Sequence, residues 1–534
     1  MKMVVTKWWT LLGVLCVLTC ALAVAVSTAP AAEQVVLRAV MHSDLKIVDP
    51  IWTTAYITRN HGYMVYDTLF ASDAKGEIRP QMVDKYDLSA DKLTYTFTLR
   101  EGLLWHDGKP VTAEDCVASI KRWAAKDAMA QVLMTFVKDI VAVDQKTFRI
   151  VLKEPTGLVL QALGKPSSNV PFMMPKRVAE TPPGEQITDF TGSGPFVFKR
   201  DEWKPGDKAV YVKFARYKPR PEPLSGLAGG KVVKIDRIEW RAIADQQTAV
   251  NAMLNGEIDL IEAPAFDLLP VLKKDRNVKI VNWNPWGLMY TFRYNTLAAP
   301  FNNIKIRQSL WYAFNQRDFL QAVVGDSAYY KVCKSIFPCG TPLESTKGMD
   351  GLLDSNFEKA RALLKEGGYD GTPIVLMHST DLATLTNLAP VAKSLMEKAG
   401  FKVDMQDMDW QTLVGRRAKK DPPAQGGWHA FLTAWVAGDI LNPVTHAFLN
   451  ASCDKAIFGW PCDQELEKLR AQYAHETNAA KLKAIAEAVQ LRTIQYSPFI
   501  PLGQWVSPVA ARTNVDGLVT ASVPVFWNVS LKGR

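Results

Sequence analysis

The chain has 534 residues, more than one hydrophobic core usually serves, so we expect two or three domains. Hydrophobic residues make up 48% of it and charged residues 22%, a balance that excludes disorder on a large scale. The net charge of +9 comes from scattered basic residues with one denser stretch at 415–421, which indicates a solvated surface and argues against nucleic acid as a partner.

The N-terminus has the pattern of a secretory signal peptide over residues 1–31. Two lysines precede an apolar run from 8 to 26, and small residues with an Ala-x-Ala site ending at Ala31 follow. This pattern predicts export with cleavage near Ala31. Two alternatives stay open: an uncleaved membrane anchor, because the run is marginally long enough to span a bilayer, and lipidation at Cys20.

The next clear elements form a strand, a turn and a helix. Apolar and polar residues alternate over 93–100, which predicts a strand with one buried face. Asp107-Gly108 favours a tight turn, and Thr112 with Asp115 has the spacing of a helix capping box. Cys116 falls on the apolar side of this helix, which favours a buried structural residue over a Cys-His-Asp catalytic set.

Further elements follow in the second half of the chain. Ser355 and Glu358 have capping-box spacing, and Gly367-Gly368 can end the helix that follows them. The later segments predict a strand, a helix, two more strands and a largely helical region: 372–379, 388–400, 401–410, 428–435 and 463–495. The β-α-β pattern among them predicts a mixed α/β lobe.

Four of the remaining cysteines form two close pairs, Cys333 with Cys339 and Cys453 with Cys462. In an oxidising compartment these spacings favour two small disulfide loops and leave Cys116 unpaired. A structural metal site needs C-x-x-C pairs or nearby histidines, and the sequence has neither, so we predict no metal site.

The segment "EGLLWHDGKPVTAEDCVASIKRW" at 101–123 closely resembles the W-H/S-D-G-x-P-x-T-A-x-D motif of extracellular solute-binding proteins from peptide/nickel-type (dipeptide/oligopeptide) ABC importers. Other segments are similar to the same family in the expected order: 47–70, 191–217, 253–263, 290–325, 360–371 and 498–505. The resemblance therefore covers nearly all of the chain after the signal peptide.

This resemblance implies an α/β, two-lobed periplasmic-binding-protein-like fold with mixed sheets and a ligand cleft between the lobes. It places the first lobe at 32–284 plus 501–534 and the second at 285–500. It implies a periplasmic monomer without a cofactor that captures a peptide-like or other small organic solute and delivers it to ABC permease subunits driven by a separate ATPase.

Three aromatic residues stand at the first proposed crossing between lobes: Trp283, Trp286 and Tyr290. Aromatic faces enclose apolar or sugar-like ligands at a small loss of conformational entropy, so these side chains are candidate ligand contacts. The alternative is that they only pack between the lobes.

The segment 433–443 resembles the place where dipeptide binders hold the peptide ammonium group with an aspartate. Asp439 matches that aspartate by its position after Trp435, although this sequence has one residue more before Asn-Pro. Asp439 and Trp435 are therefore candidate ligand residues, with a helix or turn cap as the alternative for Asp439. The resemblance of the N-terminal loop adds Asp44, Trp52 and Tyr56.

The dipeptide binders also use an arginine for the ligand carboxylate, and the matching position here is Thr380 or Asp381. The absence of arginine there puts ordinary dipeptides in doubt and leaves a cationic, neutral or aromatic-containing solute open. A metal chelate held with help from His42 or His378 has only weak support.

Motifs of catalysis are absent from the sequence: it has no phosphate-binding loop, no H-E-x-x-H and no G-x-S-x-G. We therefore predict a binding protein without catalytic residues. A secreted hydrolase remains the competing class, and a sensory or chaperone role on the same fold also stays open.

Overall fold

A computed structural model describes residues 34–167, 169–476 and 478–533. The predicted signal peptide lies outside the described residues. Within them no helix is long and apolar enough to cross a membrane. The α-helices are Tyr56–Val65, Ala113–Ala124, Ala128–Phe136, Leu158–Leu163, Lys176–Ala179, Gln246–Leu254, Leu269–Lys274, Ile304–Ala313, Gln316–Val323, Phe357–Glu366, Leu388–Lys398, Trp410–Arg416, Gln464–His475 and Ala479–Tyr496.

A seven-stranded mixed sheet organises the first part of the chain. Its strands lie in the order Val278–Val281, Val509–Arg512, Leu260–Ile261, Val36–Val40, Arg237–Arg241, Lys208–Lys213 and Phe196–Phe198. The strand at 36–40 is parallel to both of its neighbours, and the remaining pairs are antiparallel. A four-stranded antiparallel sheet is inserted in the chain between the strands Val36–Val40 and Phe196–Phe198. Its strands lie in the order Val83–Leu88, Thr94–Leu99, Thr147–Leu152 and Val137–Ala142.

A six-stranded mixed sheet organises the second part of the chain. Its order is Tyr330–Lys331, Phe499–Trp505, Leu288–Tyr294, Ala430–Val436, Ile374–Ser379 and Val403–Met408. Two short hairpins complete the strands: Phe70–Ser72 with Ile78–Pro80, and Val515–Asp516 with Ser530–Leu531. The predicted α/β fold with mixed sheets is therefore confirmed.

The chain leaves the seven-stranded sheet after Val281, runs through the six-stranded sheet from 288 to 505, and returns at Val509. We call the part built on the seven-stranded sheet the first lobe and the part from 288 to 505 the second lobe. The predicted boundaries near 284 and 500 stay predictions, although the strand at 499–505 lies wholly in the second sheet.

Local patterns near residue 100 are confirmed. The strand at 94–99 alternates between partly buried and buried residues, and Gly108 adopts a positive φ of 90° in the following turn. Thr112 accepts a hydrogen bond from the Asp115 amide while the Asp115 carboxylate accepts one from the Thr112 amide, which is the predicted capping box. Cys116 is fully buried and free.

The predicted helix start at Ser355 is wrong by one residue. Asn356 caps the helix instead, because its side chain accepts a hydrogen bond from the Lys359 amide at 3.0 Å, while Ser355 takes a left-handed conformation. The β-α-β unit after this helix is confirmed, with its two strands parallel. Both predicted disulfides, Cys333–Cys339 and Cys453–Cys462, are also present.

Candidate functional site

A cleft lies where the two lobes meet and encloses about 890 Å³ of empty space, part of it open to solvent. Clefts between two lobes are places where proteins preferentially hold small organic ligands. Its walls come from both lobes: His42, Thr54, Tyr56, Arg59 and Glu262 on one side, and Leu382, Trp410, Arg417, Trp435 and Trp505 on the other.

Aromatic side chains form much of the cleft wall. The structure brings together the predicted site residues Trp283, Trp435 and Tyr56, and adds Trp410 and Trp505. The indole nitrogens of Trp435 and Trp505 have no hydrogen-bond partner within the described residues. Buried donors of this kind usually find an acceptor, and the wall offers the apolar faces of these rings to a solute.

Arg417 is a cation of the cleft wall that the sequence pattern did not indicate as a site residue. It follows the helix Trp410–Arg416, whose residues 410, 413 and 414 are buried. A residue seven positions after Trp410 lies on the same helical face, so Arg417 continues the buried stripe. The solvated-surface interpretation of 415–421 is therefore wrong for Arg417, which is 3% exposed, while Lys419 and Lys420 are exposed.

The Arg417 guanidinium lacks a counter-ion in the described part of the chain. Its Nη2 donates to the Thr54 hydroxyl across the cleft at 3.2 Å, and its Nε is buried without a partner. Burial lowers the pKa of Arg417 to about 9, so the group remains a cation at neutral pH. An unpaired buried cation is unfavourable, and an anionic ligand would relieve that cost.

Arg59 and Glu262 balance each other on the opposite wall. Arg59 donates to the side-chain amide oxygen of Asn60, and the Asn60 side-chain nitrogen in turn donates to Glu262 at 3.3 Å. Burial opposes ionisation of Glu262, but the contact with His42 at 2.7 Å and the charge of Arg59 hold its pKa below the usual range. Among the described residues, Arg417 is therefore the cleft cation without an acidic partner.

Asp439 joins the two lobes. It lies in the short 3-10 turn Ala437–Asp439, is 2% exposed, and accepts hydrogen bonds at 2.9 Å from the hydroxyls of Tyr56 and Ser167. The Tyr56 hydroxyl also accepts from the Val436 amide at 2.6 Å. Burial raises the pKa of Asp439, although Lys165 and Arg59 oppose that shift.

We expect an Asp439→Asn variant to gain stability relative to wild type as pH rises. Because the pKa of Asp439 is raised in the folded state, the contribution of its carboxyl group to the free energy of unfolding is fully present below the ordinary pKa of 3.8. This contribution is lost as pH rises through the folded-state pKa. Asparagine can still accept both hydroxyl hydrogen bonds but carries no buried charge. Denaturant unfolding of both proteins from pH 3 to 8 measures this; a difference that does not change with pH would contradict the assignment.

The other predicted site residues lie at different distances from the cleft. Tyr290 is fully buried and stacks on Trp505 with ring centroids 4.9 Å apart, so it supports a cleft wall from behind. Trp286 is 48% exposed and lines a second chamber together with Asp439. Asp44 accepts from the Gly206 amide, and Trp52 donates to the Gly184 carbonyl; neither lines the central cleft.

Asp381, which matches the position of the carboxylate-binding arginine in dipeptide binders, has a structural role. The Asp381 carboxylate accepts from the Trp410 amide at 2.7 Å, which fixes the start of the helix that leads to Arg417. His378 contacts Asp407 and the Thr386 carbonyl, whereas His42 lines the cleft. Among the described residues no group of three His, Cys, Asp or Glu side chains could hold a metal ion.

Comparisons with known proteins agree with this architecture. The family model for "Bacterial extracellular solute-binding proteins, family 5 Middle" matches residues 77–457. The probable peptide ABC transporter periplasmic-binding protein y4tO of Sinorhizobium fredii (strain NBRC 101917 / NGR234) is 40% identical over 505 residues, 94% of each chain.

Two solved structures share the fold at lower identity. AgaA from A. tumefaciens R10, in complex with agropinic acid, has a TM-score of 0.77 and 21% identity, covering 93% of this chain and 99% of that one. DppA from Helicobacter pylori, in complex with the peptide STSA, has a TM-score of 0.76 and 22% identity, covering 93% and 98%. Both similarities extend over both lobes.

Proposed function

Because the chain belongs to the bacterial extracellular solute-binding proteins of family 5, we propose that its cleft captures a solute carrying a carboxylate and that Arg417 binds this group. Members of the family are binding proteins, and this chain is the solute-binding component of an ABC peptide importer.

The single observation that carries the proposal is the guanidinium of Arg417, which is buried in the cleft wall without an acidic partner in the described residues. Arginine binds carboxylates through two parallel hydrogen bonds, and such bonds are stronger where water is excluded. The solute is therefore anchored by its carboxylate, and the indoles of Trp435, Trp283 and Trp505 pack against its body. The 40% identical relative is named as peptide-binding, and AgaA binds an acid, which agrees with this solute class.

Closure of the lobes follows from contacts that already cross the cleft. Asp439 accepts from Tyr56 and Ser167, and Lys46 pairs with Asp409 at 2.8 Å. A solute shifts the protein toward this closed form only if it binds that form more tightly than the open one. We place the lobe boundaries at the two sheet changes, 282–287 and 506–508.

We also propose where the protein acts and to which partners it delivers its solute. The exported protein begins near Ala31, acts in the periplasm as a monomer without catalytic activity, and delivers its solute to permease subunits driven by a separate ATPase. In the same proposal, Asp439 holds an ammonium group of the solute and Trp286 contacts the solute body. Asp44 and Trp52 are further proposed contacts.

A thermal-shift screen of the mature protein tests the proposed solute class. The library pairs carboxylated solutes, among them di- and tripeptides, sugar acids and aromatic acids, with their carboxamides. A ligand that binds only the folded state raises the unfolding temperature, and at a given concentration a tighter ligand raises it more. We expect stabilisation by at least one carboxylate and not by its amide; stabilisation by amides alone would contradict the proposal. Turnover of a bound ester, peptide or glycoside would instead favour the hydrolase.

A further inference from the structure

The Cys453–Cys462 disulfide closes a loop that packs against Arg417. Phe458 lies near the tip of this loop, and its ring centroid is 4.1 Å from the Arg417 guanidinium carbon. Trp410 and Phe431 contribute more distant faces at 5.4 and 5.6 Å. The guanidinium therefore lies among three rings, of which Phe458 is the closest.

Phe458 also lines a second space that Arg417 does not line. This back chamber is lined by Trp52, Lys126, Lys420, Phe458 and Trp460, whereas Arg417 lines the cleft. Thr54, which accepts the Arg417 hydrogen bond, lines both spaces. Phe458 and Thr54 thus form the partition at the guanidinium.

The loop is held at its tip as well as at its base. The Phe458 carbonyl accepts from Arg293 at 3.0 Å, and the Gly459 carbonyl accepts from the Thr296 hydroxyl at 2.8 Å. Gly459 has a φ of 95°, and a Cβ there would lie 2.3 Å from the Tyr294 carbonyl oxygen, so only glycine fits. These contacts fix the main chain at Phe458 relative to the strand Leu288–Tyr294.

We propose that the Cys453–Cys462 loop is the positioning element of the anion site and that Phe458 is its positioning residue, holding the Arg417 guanidinium toward the cleft and excluding water from its back. The inference rests on the proposed role of Arg417. Physically, an aromatic face attracts a cation, and exclusion of water strengthens the hydrogen bonds that the cation makes to a carboxylate.

The test measures binding of acetate and acetamide at constant ionic strength by the fluorescence of the cleft tryptophans. These probes differ only in that acetate has the carboxylate that Arg417 is proposed to bind and acetamide has a neutral amide in its place. Four variants are compared with wild type: Phe458→Leu keeps an apolar side chain, Phe458→Trp keeps an aromatic face, Cys453→Ser/Cys462→Ser opens the loop, and Lys455→Ala changes an exposed side chain of the same loop.

We expect wild type to prefer acetate, and Phe458→Leu and the cysteine variant to weaken acetate binding about tenfold while acetamide binding stays unchanged. Phe458→Trp and Lys455→Ala retain the preference. Equal acetate binding by Phe458→Leu and wild type would overturn the positioning role and leave the Arg417 proposal intact. Absence of an acetate preference in wild type would overturn both. Unfolding temperatures of all variants show whether a loss of acetate binding reflects misfolding. If the cysteine variant does not fold, the result for Phe458→Leu alone tests the positioning role.

Discussion

An Arg417→Gln variant is expected to lose affinity for a carboxylated solute by about 100-fold or more, a typical result when one partner of a buried hydrogen-bonded ion pair is removed. Affinity for the matching carboxamide should change little, because a neutral amide gains no ionic interaction from the guanidinium. Isothermal titration with a carboxylate identified by the screen, and with its amide, measures both affinities.

The neighbouring arginine provides a matched control. Arg416 donates to the carbonyls of Gly426 and Gly427 and to the Gln406 side chain, and it does not line the cleft. An Arg416→Gln variant should therefore bind the carboxylate as wild type does. Similar losses in both variants would mean that the local charge, and not the Arg417 site, controls affinity.

A Lys231→Met variant is expected to lower the free energy of unfolding by about 3–5 kcal/mol, because it leaves a buried charge unpaired. The Lys231 and Asp67 side chains are each 1% exposed and lie 2.6 Å apart. Asp67 also accepts from the Tyr217 hydroxyl, and the Lys231 ammonium lies 4.7 Å from the Trp527 ring centroid. This pair therefore ties the C-terminal segment to the first lobe.

Removing both charges should restore most of the loss, because the Asp67→Asn/Lys231→Met double variant leaves neither charge buried alone. Lys234→Met, three residues away and exposed, is the matched control and should unfold as wild type does. Urea denaturation of wild type, Lys231→Met, Asp67→Asn, the double variant and Lys234→Met gives the values. An additive effect of the two single changes would contradict a direct interaction between Lys231 and Asp67.

The sequence was sufficient for elements that local patterns determine. Alternation over 93–100, the Thr112–Asp115 spacing and the β-α-β run all predicted what the structure shows, because each depends on neighbours within a few residues. Ser355 was misassigned because Asn356, one residue later, is also a strong capping residue, and only the fold decides which of them caps the helix.

The binding site could be predicted only in part. Trp283 is predicted as an aromatic near a crossing and Trp435 from the resemblance of 433–443, but Arg417 lies in a basic stretch that has the pattern of a solvated surface. Its position seven residues after Trp410 was the available indication of burial. The partners of Asp439 could not be derived, because Tyr56 and Ser167 lie 383 and 272 residues away and meet it only when the lobes are together.

The central claim is that Arg417 holds a carboxylated solute in the cleft. The most direct measurement is mass spectrometry of the small molecules released by denaturing wild-type and Arg417→Gln proteins that were purified side by side from the periplasm. Wild type is predicted to release a carboxylated solute that is absent from, or strongly depleted in, the Arg417→Gln sample. Release of the same solute in equal amount from both proteins, or of a neutral solute from wild type, would contradict the claim.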